Sequence, residues 1–371
     1  MDEYYQVQLA TVTFVIPRRY ENLRFVAAGG YGAVACALDR VTNREVAIKK
    51  LLKPFETDIH AKRAYRELKL LMHLNNKDAS VVQIFNVFTP DQRREFNTLY
   101  FVLNYARGDL AKVLHNYQKH RQRFQERDIQ VLIYSLLRGL KYIHSAGIIH
   151  RDLKPSNIGV DRDFNLSILD FGLARVVMPA DRILTGYVQT RWWRAPETIY
   201  NWENYSSKAD LFSVGCIMAE LVLLRPLFTG GNFIEQLRKI LEVLGTPSNE
   251  ELAELCEPYA YAYIRDQIGD LPRLNFQNLF RPLGLSHGGI NLLELLLQLN
   301  PARRPSVEEA LAHPYLASMY DPTDEPTAPQ LNDPHQDETH TINEWKAIIW
   351  DLIGTFQVPE WFTQNTTNSL N

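Results

Sequence analysis

The segment IIHRDLKPSNIGV brings a carboxylate, an amine and a carboxamide together within one short stretch of chain. Asp152 can accept the proton of an attacking hydroxyl, Lys154 can neutralise a transferring phosphate, and Asn157 can bind magnesium through its oxygen. The pattern H-R-D-x-K-x-x-N fixes too many positions for a chance match. The segment therefore predicts transfer of a phosphoryl group from a nucleotide to a hydroxyl.

A second carboxylate, Asp170, ends the apolar run in the segment ILDFGLAR. This place suits a residue that bridges Mg²⁺ and the nucleotide phosphates, with Phe171 packing inward and Gly172 acting as a hinge. Asp-Phe-Gly alone is an ordinary turn tripeptide. It becomes specific because it lies after the first segment and before an Ala-Pro-Glu sequence that ends at Glu197.

A glycine-rich loop, VAAGGYGAV, lies upstream of both segments. Gly29 and Gly32 allow the backbone to approach phosphate oxygens closely, whereas Ala27 replaces the first glycine of the pattern. Taken alone, the loop fits an ordinary hairpin equally well. The loop precedes Lys49 on a predicted strand and Glu67 on a predicted helix. This pair can hold the α- and β-phosphates of a nucleotide. The alternative is that the two residues are unrelated surface charges.

The elements that must position these residues change in character along the chain. Short β-rich runs over residues 23–105, interrupted by the helical stretch IHAKRAYRELKLLMHL, predict an antiparallel sheet with one helix. Beyond Asp109 apolar residues recur at helical spacing, and Gly147 supplies a helix stop. The stretch from Ala209 to Leu224 is apolar on nearly every face, which predicts a fully buried helix.

Two capping boxes predict where late helices begin: Ser306 and Thr341 are each followed, at the required spacing, by a glutamate. Residues 321–338 between them are rich in Asp and Glu and contain no Lys or Arg. This composition predicts an acidic, extended surface segment.

Composition excludes several classes of function. The 40 basic and 43 acidic residues give a net charge of −3, which offers no general attraction for nucleic acid or an anionic membrane. The 3 cysteines are too scattered for a disulfide framework or a Cys-based zinc site, and the polar start MDEYYQVQLA lacks the apolar core of a signal peptide. We expect a soluble, intracellular protein.

On these motifs the chain resembles, from about Leu23 to Leu316, the protein kinase catalytic domain. The segment LTGYVQTRWWRAPE resembles the mitogen-activated branch, and glycine between Thr185 and Tyr187 resembles its stress-activated subfamily. The resemblance implies an α+β, bilobal fold with a small β-rich lobe and a larger, mainly helical lobe. The implied organisation is an N-terminal extension (1–22), a smaller lobe (23–106), a larger lobe (107–317, with an insert near 246–285) and a C-terminal extension (318–371).

The resemblance also implies the cofactors, ATP and Mg²⁺, and assigns the site residues. Asp152 and Lys154 are implied to be catalytic, and Asn157 and Asp170 to bind the metal. The residues implied to bind ATP are Ala27, Ala28, Gly29, Gly30, Tyr31, Gly32, Val34, Ala47, Lys49, Glu67, Leu103, Asn104 and Ala106.

Thr185 and Tyr187 are implied to be phosphorylated together, which activates the enzyme. A phosphothreonine adds about −1.5 to −2 charges and should order a loop only where arginines converge on it. The arginines that match the family's phosphate-sensing positions are Arg63, Arg66, Arg151, Arg175, Arg191 and Arg194. Without phosphate this positive cluster repels itself, so low basal activity is expected.

The expected substrates and partners also follow from the resemblance. They are Ser/Thr-Pro protein substrates, an upstream dual-specificity kinase and phosphatases. Basic docking motifs in these activators, substrates and phosphatases would bind an acidic patch of Asp321, Asp324 and Glu325. We expect no nucleic acid or membrane partner, a monomer, and a distribution over cytoplasm and nucleus. A solvated acidic loop is the alternative for the patch.

Some residues resemble structural supports of the kinase fold, and others depart from the family. Glu197 with Arg304 resembles a buried ion pair, and Asp210 resembles the anchor of the catalytic loop. Leu103 stands at the gatekeeper position, where the subfamily usually has threonine. Arg107 stands near the hinge glycine, and KHRQR before residue 124 is an apparent insertion.

Two other interpretations stay open from the sequence. A non-catalytic scaffold with the same fold is supported by Ala27 alone, and Mg²⁺-dependent stabilisation by ATP would argue against its strongest form. A partner-activated, proline-directed kinase of the cyclin-dependent kind is the second, and the Thr-x-Tyr sequence argues against it.

Overall fold

The computed structural model describes residues 3–161, 164–176, 191–200 and 206–363. The chain forms two units. The first comprises Met1–Arg107, Asp170–Leu173 and Asn332–Asn371, and the second comprises Gly108–Leu169 and Ala174–Leu331. The boundaries drawn from the sequence alone stay a prediction.

The first unit contains most of the β-structure. Its strands are β1 (Tyr4–Leu9), β2 (Val12–Pro17), β3 (Tyr20–Ala28), β4 (Gly32–Asp39), β5 (Arg44–Leu51), β6 (Ile84–Phe88) and β7 (Tyr100–Asn104). β1 and β2 form an antiparallel hairpin, and the other five form an antiparallel sheet in the order β3-β4-β5-β7-β6. The predicted antiparallel sheet is confirmed, whereas the hairpin was not predicted.

The sheet turns one face to an apolar core. Ala33, Ala35, Val46, Ile48 and Val102 are fully buried, and their neighbours along each strand point to the opposite face because side chains alternate in a strand. Helix α1 (Asp58–His73) begins at Thr57, whose side chain accepts a hydrogen bond from the backbone of His60.

The second unit is mainly helical. Its helices are α2 (Leu110–Lys119), α3 (Glu126–Ser145), α4 (Glu197–Tyr200), α5 (Lys208–Leu223), α6 (Phe233–Leu244), α7 (Asn249–Leu255), α8 (Pro258–Tyr263), α9 (Phe276–Phe280), α10 (His287–Leu296) and α11 (Val307–Leu311). Its short strands are β8 (Gly108–Asp109), β9 (Ile148–Ile149), β10 (Ile158–Val160), β11 (Leu166–Ile168) and β12 (Arg175–Val176), paired as β11-β10-β8 and β12-β9. The α+β class is thereby confirmed.

Several helix predictions are confirmed in this unit. Helix α5 is buried on every face from Ala209 to Val222, and α3 ends just before Gly147, whose φ of 73° lies in the left-handed region that glycine favours. Ser306 forms the predicted capping box at the start of α11. No helix among the described residues combines the length and apolar character needed to cross a bilayer.

The end of the chain returns to the first unit. Helix α12 (Ile342–Thr355) begins at the predicted Thr341 capping box and packs on α1, where the rings of Trp345 and Tyr65 lie 5.0 Å apart. Helix α13 (Glu360–Thr363) inserts Phe362 into the core of this unit, stacked 4.0 Å from Phe85.

Candidate active site

The glycine-rich loop is a tight connection between β3 and β4. Ala27 pairs with Val34 in the sheet, and the backbone N–H of Gly29 donates to the carbonyl of Gly32 at 2.8 Å. A Cβ added at Gly29 or Gly30 would meet nothing within 4 Å. The alanine that departs from the glycine pattern therefore pairs within the sheet, directly after a register irregularity between Phe25 and Ala27, and the hairpin forms without the missing glycine.

The predicted nucleotide residues share one face of the first sheet. Val34 lies opposite Lys49 on β5, and Ala47 lies opposite Leu103 on β7, all on the face away from the core. Of the other predicted residues, Ala27 and Ala28 end β3, Gly29, Gly30 and Tyr31 form the loop, Gly32 begins β4, Asn104 ends β7, and Ala106 lies between β7 and β8. Among these, the Asn104 side chain accepts a hydrogen bond from the backbone N–H of Gln83 at 2.8 Å.

Lys49 forms a charged cluster with two carboxylates of the first unit. Its Nζ donates to Glu67 on α1 and lies 3.5 Å from Oδ1 of Asp170. Burial lowers the pKa of Lys49, but the charges of Glu67 and Asp170 outweigh this effect, so its pKa is raised and it stays a cation. A fixed cation beside a carboxylate of the Asp-Phe-Gly segment is suited to phosphate oxygens.

The Asp-Phe-Gly segment is held in a constrained conformation. Asp170 has a φ of 61°, which is unusual for a non-glycine residue, and its Oδ1 accepts a hydrogen bond from the backbone of Gly172 at 3.2 Å. Phe171 is fully buried. A Cβ added at Gly172 would lie 2.7 Å from Nη2 of Arg63, the far end of a flexible side chain that can move aside.

In the second unit, the catalytic loop holds Asp152 through its own residues. Nζ of Lys154 donates to Oδ2 of Asp152 at 2.7 Å, and Nδ2 of Asn157 donates to the same oxygen at 2.9 Å. Nδ2 of Asn157 also donates to the Asp152 backbone carbonyl at 2.8 Å. The predicted base, phosphate-neutralising lysine and metal-binding amide thus form one network.

Asp210 fixes the backbone of this loop. Its carboxylate accepts hydrogen bonds from the backbone N–H groups of His150 and Arg151, both at 2.9 Å, and lies 2.9 Å from Nε2 of His144. Burial raises the pKa of Asp210, but these donors outweigh burial and lower it overall. Arg151 has a φ of 71°, a cost that the buried carboxylate offsets. The predicted anchor is confirmed.

The predicted buried ion pair is also present. Nη1 of Arg304 donates to Oε1 of Glu197 at 2.6 Å and Nη2 to Oε2 at 2.7 Å, with both side chains buried. The bidentate geometry holds the end of the Ala-Pro-Glu sequence against residues of the late helices.

The predicted phosphate-sensing arginines differ in their surroundings. In the first unit, the guanidinium of Arg63 lies 3.5 Å from the ring centroid of Tyr31, and Arg66 lies on α1. In the second unit, Arg151 precedes Asp152, and Arg175 lies on β12. The Nε atoms of Arg191 and Arg194 are both buried without a hydrogen-bond partner among the described residues. Thr185 and Tyr187 lie outside the described residues.

Three further contacts were missed by sequence reasoning. Arg107, near the expected hinge, pairs with Glu45 at 3.1 Å, and Arg123 of the apparent insertion donates to the carbonyl of Val222 at the end of α5 at 3.2 Å. Nε1 of Trp193 donates to Oε2 of Glu220 at 2.7 Å. An acidic residue within the otherwise apolar sequence of α5 was the available signal for the last contact.

The predicted acidic patch is only partly exposed. Asp324 pairs with Arg138 at 3.1 Å and its side chain is 75% exposed, and Asp321 is also exposed. The side chain of Glu325 is only 1% exposed, because Lys141 and Tyr134 of α3 cover it at 2.7 Å and 3.1 Å. The expectation of a surface segment is therefore wrong for Glu325.

Comparison with known families agrees with this arrangement. Residues 20–316 match the model of the protein kinase domain. The chain is 43% identical to mitogen-activated protein kinase p38b of Drosophila melanogaster over 361 residues, covering 96% of this chain and 95% of that protein. It is also 43% identical to mitogen-activated protein kinase 14 of Xenopus laevis over 357 residues, covering 96% of this chain and 95% of that protein. It is 42% identical to mitogen-activated protein kinase 12 of Homo sapiens over 357 residues, covering 96% of this chain and 94% of that protein.

The chain therefore belongs to the protein kinases and, within them, to the stress-activated mitogen-activated protein kinases. It is an ATP-dependent protein serine/threonine kinase, and the family implies a divalent metal beside ATP. The two-lobed kinase fold that the motifs implied is confirmed.

Proposed function

We propose that this kinase is directed to Ser/Thr-Pro sequences, that it uses Mg²⁺, and that phosphorylation of Thr185 and Tyr187 activates it. The observation that carries the assignment of catalytic residues is the network in which Lys154 and Asn157 both donate to one oxygen of Asp152. Orientation of a carboxylate by two neighbours suits a group that must accept one proton at a fixed place.

In the proposed reaction, Asp152 accepts the proton of the substrate hydroxyl as that oxygen attacks the γ-phosphorus of ATP. Lys154 neutralises the charge on the transferring phosphoryl group, and the bond from phosphorus to the bridging oxygen of ADP breaks. Lys49 holds nucleotide phosphates, and Glu67 keeps the Lys49 side chain extended.

Asn157 and Asp170 fit the metal by the chemistry of their donors. Asn157 uses its amide nitrogen toward Asp152, which directs the other end of the carboxamide, an oxygen, elsewhere. Carboxamide and carboxylate oxygens are the hard ligands that Mg²⁺ prefers. The ion would supply neutralisation of the phosphate charge.

Activation by phosphorylation of Thr185 and Tyr187 is supported by the Nε atoms of Arg191 and Arg194, which are buried without a hydrogen-bond partner in the part of the chain that the structure describes. A buried guanidinium N–H without a partner costs about 1–3 kcal/mol, and a phosphate supplies the acceptors that would recover it. The bulky pair Trp192 and Trp193 between these arginines is proposed to line the pocket for proline.

The test of this function is transfer of phosphate from Mg-ATP to a Ser/Thr-Pro protein. We expect activity from the dually phosphorylated chain, little from the unphosphorylated chain, and a loss of about 10²–10⁴-fold in Asp152→Ala. Asp266→Ala, which removes an exposed carboxylate, serves as the control. A scaffold would instead leave the phosphorylated chain as inactive as Asp152→Ala while partners still bind.

Docking of basic linear motifs is proposed for the exposed members of the acidic patch, Asp321 and Asp324. Affinity for a fluorescent Lys/Arg-rich peptide should fall in D321N/D324N and in raised salt, but not in the control D266N. Equal affinity of both variants would remove this surface from the proposal. The expected distribution over cytoplasm and nucleus stays a prediction.

A further inference from the structure

Two histidines and a glutamate converge in the first unit, in the segment just before α12. Nδ1 of His335 lies 2.5 Å from Oε2 of Glu338, and Nε2 of His340 lies 2.8 Å from the same oxygen. The two ring nitrogens lie 3.2 Å apart, and all three potential ligand atoms lie within 4.8 Å of one another. The kinase reaction uses none of these residues.

Hydrogen bonds alone leave this arrangement poorly satisfied. If each imidazole donates its N–H to Oε2 of Glu338, two donors face each other across the 3.2 Å between the rings. If one imidazole instead accepts from the other, its contact with the carboxylate places two acceptors together. Three lone pairs directed at one point are satisfied at once by a cation.

The distances suit a small transition-metal ion. Ligands at about 2.0–2.2 Å from a tetrahedral zinc ion lie about 3.3 Å from one another. The separation of 3.2 Å between the two nitrogens fits this edge, and the carboxylate oxygen would retreat by about 0.5–0.8 Å, which the exposed side chain of Glu338 permits. Two imidazoles with one carboxylate select ions of the zinc type over Mg²⁺ or Ca²⁺.

The surroundings orient the two rings. His335 packs edge-on against Tyr65 of α1 at 5.7 Å, and His340 packs edge-on against Trp345 of α12 at 4.6 Å. The hydroxyl of Tyr65 donates to Oδ1 of Asp333 at 2.5 Å, and the same oxygen accepts from the backbone of His335 at 3.1 Å. These contacts fix the first ring beside α1, the helix that carries Glu67.

A further contact ties the carboxylate residue to the same helix. Nζ of Lys62 on α1 donates to the backbone carbonyl of Glu338 at 2.9 Å.

We propose that His335, Glu338 and His340 bind a divalent transition-metal ion of the zinc class, which holds residues 335–340 in the conformation that contacts α1. Among the described residues, no fourth His, Cys, Asp or Glu joins this group of possible ligands. Water would therefore complete the coordination of the ion. The side chains of all three ligands are partly exposed, at 30%, 50% and 20%, so an ion can reach them from solvent.

The test measures Zn²⁺ binding to the full chain after removal of metals by a chelator. Competition with a chromophoric indicator should give one tight equivalent of Zn²⁺, and Co²⁺ in its place should give the visible absorption of a tetrahedral site. H335A/H340A should weaken binding by about 100-fold or more, and E338Q should weaken it less. Zn²⁺ should also raise the thermal midpoint of the wild type but not of H335A/H340A.

H115A/H120A is the matched control, because it removes two exposed histidines at the same sequence spacing. It should bind Zn²⁺ as the wild type does. Absence of a tight equivalent in the wild type, or its persistence in H335A/H340A, would overturn the proposal and leave the cluster as a purely hydrogen-bonded contact. Equal weakening in both double variants would mean nonspecific binding to histidines and would overturn it as well.

Discussion

Lys49, Glu67 and Asp170 come from three separate segments of the first unit, whereas Asp152, Lys154 and Asn157 come from one loop of the second. In the loop, each partner of Asp152 lies within five positions of it in sequence. In the first unit, the contact between Lys49 and Glu67 depends on how α1 packs on its surroundings. The loop is therefore specified locally, and the lysine cluster is specified by tertiary contacts.

The support for each group differs in the same way. One buried carboxylate, Asp210, holds the loop backbone through two direct hydrogen bonds. Helix α1 is instead held partly by the C-terminal α12, through the contact of Trp345 with Tyr65. A group assembled from distant segments can be adjusted by changing one packing contact, which makes the first unit the better place for regulation.

The largest effect is expected from Trp345→Ala. Trp345 is 1% exposed, and replacing such a side chain with alanine leaves a cavity that costs about 3–5 kcal/mol of unfolding free energy. Because α1 loses a support, the affinity for Mg-ATP should fall as well, measured by equilibrium titration alongside denaturant unfolding.

Trp350→Ala is the control for this prediction, because Trp350 lies on the same helix and its ring contacts that of Phe96, with the two centroids 5.4 Å apart. It should lower stability with a smaller loss of nucleotide affinity. Unchanged Mg-ATP binding in Trp345→Ala would show that α12 does not determine the position of Glu67, and the comparison between the two groups would fail on that point.

Asp210→Asn tests the loop in the second unit. The asparagine offers one oxygen and one NH₂ group where two backbone donors need acceptors, so unfolding free energy should fall by about 3 kcal/mol. Displacement of Asp152 should lower kcat about 100-fold while Mg-ATP affinity changes little. A loss of affinity as large as that in Trp345→Ala would contradict the separation of roles; Asp266→Asn is the control.

The sequence predicted the loop well for the same reason that the loop is robust. The residues that act together at Asp152 are neighbours in the chain, and the capping boxes at Ser306 and Thr341 are local as well. The β1–β2 hairpin was missed because Ala10, with a φ of 50°, occupies a turn position where glycine or asparagine is the usual signal.

Contacts between distant segments could not be predicted. The charge of Glu325 indicated solvent, but Lys141 and Tyr134 of α3 cover it after a long return of the chain. His335 and His340 drew no prediction from the sequence, and Tyr65, which orients His335, lies on α1, far from it along the chain. Such residues become informative only when the packing is known.

The smallest effect concerns Asp210 and Glu220, two buried acids on α5. Like the two active-site groups, they differ in how their surroundings support them. Several donors outweigh burial at Asp210 and lower its pKa. At Glu220 burial raises the pKa to about 7, since the opposing hydrogen bond from Trp193 offsets burial only in part. The native state thus holds a proton on Glu220 between about pH 4.5 and 7 that the unfolded chain has lost, so this residue's contribution to stability falls as pH rises through that window.

Glu220→Gln should remove this dependence and keep an acceptor for Trp193. Relative to wild type, the variant should gain about 2 kcal/mol of unfolding free energy between pH 5 and pH 8, since each unit of pKa shift corresponds to about 1.4 kcal/mol. Denaturant unfolding at several pH values measures this gain, with the exposed Glu254→Gln as the control. A pH profile identical to that of wild type would mean that the Trp193 hydrogen bond suffices to keep the buried carboxylate ionised, as the donors around Asp210 do.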